Sequence, residues 1–119
     1  MDSRRELVDK LKQSNEVRVT VTGRKTKKKL STPVWFVLEG DSKVLLVPMR
    51  GSDTNWFKNL AGDLQIGLGV DEVESTSKAK VVREPREVEK VLDKFRAKYR
   101  RMWSEAYYVK RDLYVEVAL

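Results

Sequence analysis

Residues 32–48 decide the fold, and they read TPVWFVL at 32–38, EGDS at 39–42 and KVLLVP at 43–48. The first segment is apolar on both faces, which predicts a strand packed against a barrel interior on one side and against another layer or subunit on the other. The second segment is a turn cluster of Gly, Asp and Ser, and the third predicts the returning strand. The stretch therefore predicts a β-hairpin.

Upstream of the hairpin, the sequence predicts one helix and one strand. Ser3 and Glu6 have the spacing of a capping box, and apolar residues follow on one face, which predicts a helix over residues 3–13. Valines alternate with polar residues over 17–22, the period of a strand with one solvated face.

Downstream of the hairpin, Ser52 or Asp53 is expected to cap a short helix that Gly62 closes. A strand over 64–70 carries Gly67 and Gly69 on one face, which suggests close approach by a ligand or another chain, or alternatively a barrel bend. Further segments complete the pattern: a strand at 75–83, a helix that starts near Pro85 and runs to Tyr99, and a last strand at 113–117. We expect a mainly β (α+β) fold, a small barrel of about six antiparallel strands with flanking helices.

Length and composition limit the possible chemistry. The 119 residues predict one domain spanning 1–119, with its N-terminal helix inside 1–14. Cysteine and histidine are both absent, so thiol nucleophiles, disulfides, Cys/His zinc sites and imidazole bases are excluded, and no metal site is expected. Carboxylates, lysines, tyrosines and hydroxyls remain, a set that suits a cofactor with its own reactivity.

The charge balance and the N-terminus bear on partners and location. The formal charge of +7 indicates an anionic partner: phosphates, nucleic acid or an anionic membrane. The dense mixture of acidic and basic residues also fits the surface of a thermophile protein. The N-terminus has no apolar core of a signal peptide, and the longest apolar run is far too short to span a bilayer. We expect a cytoplasmic protein without a membrane span.

Two segments are candidates for binding. The first, TGRKTKKK at 22–29, places five cations within six residues between two strands and can bind a phosphate or carboxylate. A solvated basic turn and a nucleic-acid patch are the alternatives, which charge alone does not separate. The second, PMRGSDTNWFKNL at 48–60, runs from a strand end through Gly into a helix N-terminus, where Arg50 and free amides could hold an anion and Trp56 could face a planar ring. Asp53 opposes an anion there, and a plain capped helix with Trp56 in the core is the alternative.

Together the two segments resemble the paired signature of the deazaflavin-dependent nitroreductase family. The resemblance rests on GRKT at 23–26 followed by TPVWF at 32–36, and on RGSDT at 50–54 followed by WFKN at 56–59. It extends more loosely from Val17 to the end of the chain. The resemblance implies a split β-barrel, similar to the FMN-binding barrels of the pyridoxamine-phosphate-oxidase type. It also implies a homodimer that transfers hydride from the deazaflavin coenzyme F420 to a quinone, nitro compound or enone, with FMN as the alternative cofactor.

Carried over by position, the family's cofactor contacts fall on both segments. The phosphate or acidic tail would meet Arg24, Lys25 and Thr26, with Lys29 supplying a basic residue that the family has one position later. The ring and its linker would meet residues in the second segment: Pro48, Met49, Arg50, Gly51, Ser52, Trp56 and Asn59. The chain departs from the family pattern at Lys27, where the family commonly has Gly.

Tyr107 and Tyr108 are the catalytic candidates, because tyrosine is among the few acids left to donate a proton or hydrogen bond to a substrate oxygen. The alternative is that one ring packs in the core and the other faces solvent. Two other functions stay open from the sequence: a non-catalytic cofactor-binding protein, and a small basic barrel that binds nucleic acid.

Overall fold

A computed structural model describes residues 3–103 and 105–119; the side chains of Ser3 and Glu105 lie outside its description, so the predicted cap by Ser3 does too. Helices span Ser3–Lys12 (α1), Asn55–Ala61 (α2) and Pro85–Lys98 (α3), and short 3₁₀ turns span Gly51–Asp53 and Glu105–Tyr107. The strands are Val17–Thr22 (β1), Lys29–Val34 (β2), Val37–Glu39 (β3), Lys43–Leu46 (β4), Gln65–Val70 (β5), Val73–Val82 (β6) and Tyr114–Ala118 (β7).

The strands form one antiparallel sheet in the order β2-β1-β5-β6-β7-β4-β3. The two edge strands, β2 and β3, are consecutive in the chain, and only Trp35 and Phe36 separate them. Since each residue spans at most about 3.6 Å, Val34 and Val37 lie within roughly 11 Å of each other. The sheet must therefore curl until its edges approach, which gives the split barrel that the resemblance implied.

The core lies on both sides of the curled sheet. The interior is filled by the alternate valines of β1, by Ile66 and Leu68 of β5, and by apolar residues of α1 and α2. On the outer side, α3 packs Val88, Val91, Leu92 and Phe95 against β3 and β4. The amphipathic pattern predicted α3 correctly, and Glu84 caps it by accepting a hydrogen bond from the Glu87 amide at 2.9 Å.

One strand prediction is wrong: residues 32–38 do not form a continuous strand with two buried faces. β2 is mostly exposed and ends at Val34, and β3 begins at Val37, so the sheet has seven strands rather than about six. The cause is the backbone of Phe36, whose N–H and carbonyl oxygen both bond the Tyr99 hydroxyl instead of a neighbouring strand. Pro33 lacks an N–H and is tolerated because β2 is an edge strand. The hairpin of β3 and β4 around residues 39–42 is confirmed.

Two local predictions also change. Thr54, not Ser52 or Asp53, occupies the N-cap position of α2, and its side chain makes no capping bond. Ser52 and Asp53 belong to the preceding 3₁₀ turn. The face with Gly67 and Gly69 is approached by a side chain of the same chain, because the Arg18 guanidinium lies over Gly69. No helix within the described residues is long and apolar enough to cross a membrane.

Candidate active site

A groove with two compartments lies beside β2, at the place where the sheet edges approach. The compartments have volumes of about 340 Å³ and about 520 Å³, and they share four lining residues, so they form one continuous groove. The shared residues are Thr32, Met49, Thr54 and Trp56. The smaller compartment is lined mainly by apolar and aromatic residues, whereas the larger one contains Arg50, Asp53 and Asn59. The groove therefore joins an apolar end to a polar end.

Aromatic rings build the wall of the apolar compartment. Trp35 stacks on Tyr99 with ring centroids 4.2 Å apart and planes inclined by 5°. Tyr107 meets Trp35 edge to face at 5.6 Å, and both rings line the compartment with Trp56. Such a wall can contact the face or edge of a planar ligand and keep water away from it.

The position of Trp35 depends on hydrogen bonds at the next residue, Phe36. The Tyr99 hydroxyl accepts from the Phe36 amide at 3.0 Å and lies 2.9 Å from the Phe36 carbonyl oxygen and 2.8 Å from that of Asn15. Lys98 Nζ also donates to the Phe36 carbonyl oxygen, at 2.8 Å, and lies 3.4 Å from the centre of the Phe36 ring. Burial lowers the pKa of Lys98 to about 8 and raises that of Tyr99 to about 12. Residues at the end of α3 thus fix the break between β2 and β3.

The polar compartment connects to the basic loop through Asn59. This side chain is 8% exposed, and its Oδ1 accepts hydrogen bonds from the Arg24 amide at 3.1 Å and from Arg24 Nη1 at 2.7 Å. The start of the basic loop is therefore fixed against α2. The other guanidinium N–H groups of Arg24 are the ones that an anion in the groove could use.

The segment with Arg50 is tied to the chain that precedes β7. Ser52 donates to the Asp112 carboxylate from its amide at 3.1 Å and from its hydroxyl at 2.7 Å, and Lys110 Nζ lies 3.2 Å from Asp53 Oδ2. Burial alone would raise the pKa of Asp112, but the bonds from Ser52 and the nearby Lys110 outweigh it and leave the pKa below its usual value. Asp112 is thus a carboxylate that orients the segment.

Gly51 is required at the centre of this contact. Its φ of +53° is in the left-handed region, and a Cβ there would collide with the Asp112 carboxylate and approach the Lys110 carbonyl oxygen to 2.9 Å. The turn is closed by a hydrogen bond from the Gly51 amide to the Pro48 carbonyl oxygen at 3.0 Å. The glycine thus allows the segment next to Arg50 to lie directly on residues 110–112.

The basic loop itself projects from the groove. Lys25 and Thr26 are exposed, and Lys29 Nζ donates to the Thr22 hydroxyl at 3.1 Å. Lys27 has a φ of +62°, the conformation that glycine adopts most easily. A glycine would adopt this conformation without strain, whereas this chain has a lysine there, for which the conformation is unfavourable.

The groove brings together six of the residues that the sequence singled out: Met49, Arg50, Trp56, Asn59, Tyr107 and Tyr108. Arg24 reaches it through Asn59. The remaining candidates are not in its lining: Lys25, Thr26, Lys29, Pro48, Gly51 and Ser52. Among these, Pro48, Gly51 and Ser52 shape the Arg50 segment from behind.

The two tyrosines occupy different environments. Tyr107 is 44% exposed at the groove, whereas Tyr108 is buried, with its ring stacked on Trp103 at 5.2 Å. Burial, reinforced by the neighbouring Tyr99, raises the pKa of Tyr108, so its phenol holds its proton firmly. The two rings therefore agree with the alternative interpretation from the sequence, in which one tyrosine packs in the core and the other faces solvent.

Sequence reasoning missed several residues that line the apolar compartment: Glu16, Thr32, Pro33, Val34, Trp35, Val47 and Thr54. Residues 32–35 were part of the quoted signature, which was the available signal for them. Glu16 carried no signal, because a single acidic residue before a strand is common on protein surfaces.

The whole chain, residues 1–119, matches the model of the family of F420H₂-dependent quinone reductases. The chain belongs to this family. It is therefore an oxidoreductase that uses coenzyme F420 and transfers hydride to a quinone. No curated protein matches the sequence significantly.

Solved structures show the same fold at low identity. An F420H₂-dependent reductase, FDR-A, is 22% identical with a TM-score of 0.66, covering 87% of this chain and 93% of its own. A protein from Lactobacillus delbrueckii assigned as a pyridoxamine 5'-phosphate oxidase is 15% identical with a TM-score of 0.66, covering 95% of this chain and 86% of its own. The conserved protein Rv2991 from Mycobacterium tuberculosis is 15% identical with a TM-score of 0.69, covering 100% and 80%. These likenesses support the split-barrel fold.

The residues of the groove fit the family's cofactor. A deazaflavin has a planar ring and an anionic tail, and the groove offers an aromatic end and an end with Arg50 and Asn59. Asp53 is the one residue of the polar end that would repel an anion, and its carboxylate is paired with Lys110.

Proposed function

We propose that this reductase binds F420 along the groove, with the ring against Trp56 where the two compartments join and the tail over Asn59, Arg24 and Arg50. The observation that carries the proposal is the joining of the two compartments through Met49, Thr54 and Trp56. A cofactor that extends from this junction into the polar end meets residues suited to each of its parts and leaves the apolar end open for the acceptor. The basic loop, with Lys25, Thr26 and Lys29 at its surface, would supply longer-range attraction for the tail.

The bound cofactor supplies the hydride, so the protein has to bind, orient and shield. Three charge-assisted hydrogen bonds to the tail contribute roughly 4.5–9 kcal/mol in total, while a micromolar complex needs about 8 kcal/mol net after ordering costs. Contacts of the ring with Trp56 and Met49 must therefore add to the affinity.

Tyr107 is the residue that we propose for the acceptor oxygen. Its hydroxyl is the accessible phenol of the apolar compartment, and it can donate a hydrogen bond to a quinone oxygen as negative charge develops there. Tyr108 supports the wall from the core and keeps its proton because burial raises its pKa. We propose a packing role for Tyr108 beside the catalytic role of Tyr107.

Titration with oxidised F420 and, separately, with FMN tests the binding site. We expect Arg24→Ala with Lys25→Ala to weaken F420 binding at least about tenfold, which corresponds to roughly 1.4 kcal/mol. The matched control is Arg86→Ala with Lys94→Ala, which removes the same two charges from exposed positions of α3. Equal affinities for the two double variants would contradict the tail site, and preference for FMN would contradict the cofactor.

We also propose a homodimer in the cytoplasm. Exposed apolar side chains surround the groove, Leu30 at 48%, Met49 at 51% and Val109 at 70%, beside the open edge of β2, and a second copy of the chain would cover them. A domain-swapped dimer that is 22% identical to the chain supports dimerisation. The cytoplasm is proposed because the reaction consumes a reduced cofactor that other enzymes must regenerate. Light scattering of the purified protein and cell fractionation test the two statements, and a monomer at all concentrations would contradict the first.

A further inference from the structure

The apolar compartment contains one formally charged side chain, Glu16. Among the eleven residues that line it, the others are apolar, aromatic or hydroxyl-bearing. Val17 pairs with Val34 across β1 and β2, so the next residues outward on the two strands are Glu16 and Trp35. Glu16 and Trp35 thus follow the last paired residues of the two strands, and both line the compartment, Glu16 as an exposed residue.

The described part of the chain leaves the charge of Glu16 without an ion-pair partner. The nearest cation along the chain is Arg18, which shares a neighbouring surface cleft with Glu16 but pairs with Glu74 at 3.4 Å and donates to the Asp71 carbonyl oxygen at 3.2 Å. Lys98 lies behind the same wall, and its amine donates to the Phe36 carbonyl oxygen. The charge of Glu16 also acts on Tyr99, the ring on which Trp35 stacks: it adds to the effect of burial in raising the pKa of Tyr99.

The two ends of the groove therefore carry opposite signs. The polar end has Arg50 in its lining and Arg24 bonded to Asn59, while its one carboxylate, Asp53, is paired with Lys110. The apolar end has the exposed carboxylate of Glu16, which pairs with no cation among the described residues, beside low-polarity walls that screen its charge less than open water does.

We propose that Glu16 is a specificity-determining residue, which restricts the acceptor compartment to neutral or cationic planar acceptors and excludes anionic ones. This inference rests on the proposed function, because it takes the apolar end as the acceptor site. Glu16 also opposes reversed binding of the cofactor, since the anionic tail cannot enter the apolar end without meeting it. Neither effect requires the carboxylate to touch the reacting atoms.

The test compares two acceptors with the same ring system and different charge, 2-methyl-1,4-naphthoquinone and its 3-sulfonate, in the wild-type protein and in Glu16→Gln. We expect the variant to raise kcat/KM for the sulfonate about three- to tenfold, mainly through KM, which is the size expected for one partly solvated charge. The KM of the neutral quinone should change less than about twofold, because an uncharged acceptor carries no net charge for the carboxylate to repel when it binds. Glu72→Gln, which removes the same charge at the exposed turn between β5 and β6, should change neither value.

Salt gives a second measurement of the same effect. Raising the ionic strength from about 0.02 M to about 0.5 M shortens the Debye length from roughly 20 Å to about 4 Å. The ratio of kcat/KM for the neutral quinone to kcat/KM for the sulfonate should fall in the wild-type protein and change little in Glu16→Gln. Discrimination that is equal in both proteins at every salt concentration would overturn the inference.

Binding without turnover separates this inference from the proposed function. Both quinones can be titrated against the tryptophan fluorescence of the protein in the absence of F420, because Trp35 and Trp56 line the compartment. A change of the ratio of the two Kd values in Glu16→Gln supports the inference even if no quinone is reduced. The absence of quinone reduction would overturn only the proposed function. Turnover of the neutral quinone with an unchanged Kd ratio would overturn the inference alone.

Discussion

The contact between Gly51 and Asp112 allows a sharp prediction, because the chain offers a matched control. Gly40 and Gly51 both have positive φ, +58° and +53°, but a Cβ at Gly40 would meet nothing within 4 Å. Gly40→Ala should therefore cost only the left-handed conformation, about 1–2 kcal/mol of unfolding free energy. Gly51→Ala costs the same and also forces the Asp112 carboxylate aside.

The additional cost at Gly51 follows from the bonds that are lost. Displacing Asp112 breaks the two hydrogen bonds from Ser52. Because water can reach this carboxylate, each bond is worth about 1 kcal/mol here rather than the 1.5–3 kcal/mol of a well-shielded one. We expect Gly51→Ala to lose about 3–4 kcal/mol in total, roughly twice the loss of the control.

Chemical denaturation of both variants measures the difference, and Asp112→Ala completes a double-mutant cycle. In the Asp112→Ala background, the extra cost of Gly51→Ala should fall, because the main obstacle to the new Cβ is gone. F420 titration should show weaker binding for Gly51→Ala than for Gly40→Ala, since Arg50 moves with the segment. Equal destabilisation by the two glycine variants would refute the reasoning.

Three further predictions concern the basic loop and the end of α3. Lys27→Gly should raise the unfolding free energy by about 0.5–1 kcal/mol because it relieves a φ of +62°, whereas Lys28→Gly should not; a loss of stability in Lys27→Gly on denaturation would contradict the strain. Tyr99→Phe should cost about 2–4 kcal/mol, because it leaves the buried Phe36 amide without its acceptor, and it should quench or shift the tryptophan emission as Trp35 is released; native stability would show that the hydroxyl is dispensable. The folded-state pKa of Lys98, about 8, lies below its ordinary value of 10.5, so its contribution to stability is present above 10.5 and is lost as the pH falls through 8. The unfolding free energy of the wild type minus that of Lys98→Met should therefore rise from pH 8 to pH 10.5. A constant difference would contradict the desolvation of the amine.

Elements with an unambiguous period could be predicted from the sequence because their own residues determine them. The alternating valines of β1 and the helical spacing in α3 each define one buried face, and the structure buries those faces. The break between β2 and β3 could not be predicted in this way, because the apolar pattern runs through it without interruption. The hydroxyl of Tyr99 decides it, and that residue lies 63 positions from Phe36 in the sequence.

The same limit applies to the candidate site. Motif resemblance led to Met49, Arg50, Trp56 and Asn59, which do line the groove. It gave no information on Asp112, which orients the Arg50 segment from 60 positions away. Such a residue is found only when the structure shows which distant segments lie together, because a carboxylate before a strand has no distinctive sequence pattern.

The break at Trp35 and the position of Glu16 have one physical origin. If residues 32–38 formed the continuous strand that their pattern predicts, Trp35 would continue the ladder opposite Glu16, and the sheet would have no break at this position. Because Tyr99 takes the Phe36 backbone out of the ladder, the chain turns at Trp35 and the sheet opens there. The opening creates the apolar compartment and leaves Glu16 at its wall. The same break that made the strand prediction wrong therefore forms the apolar compartment and brings Glu16 into its lining.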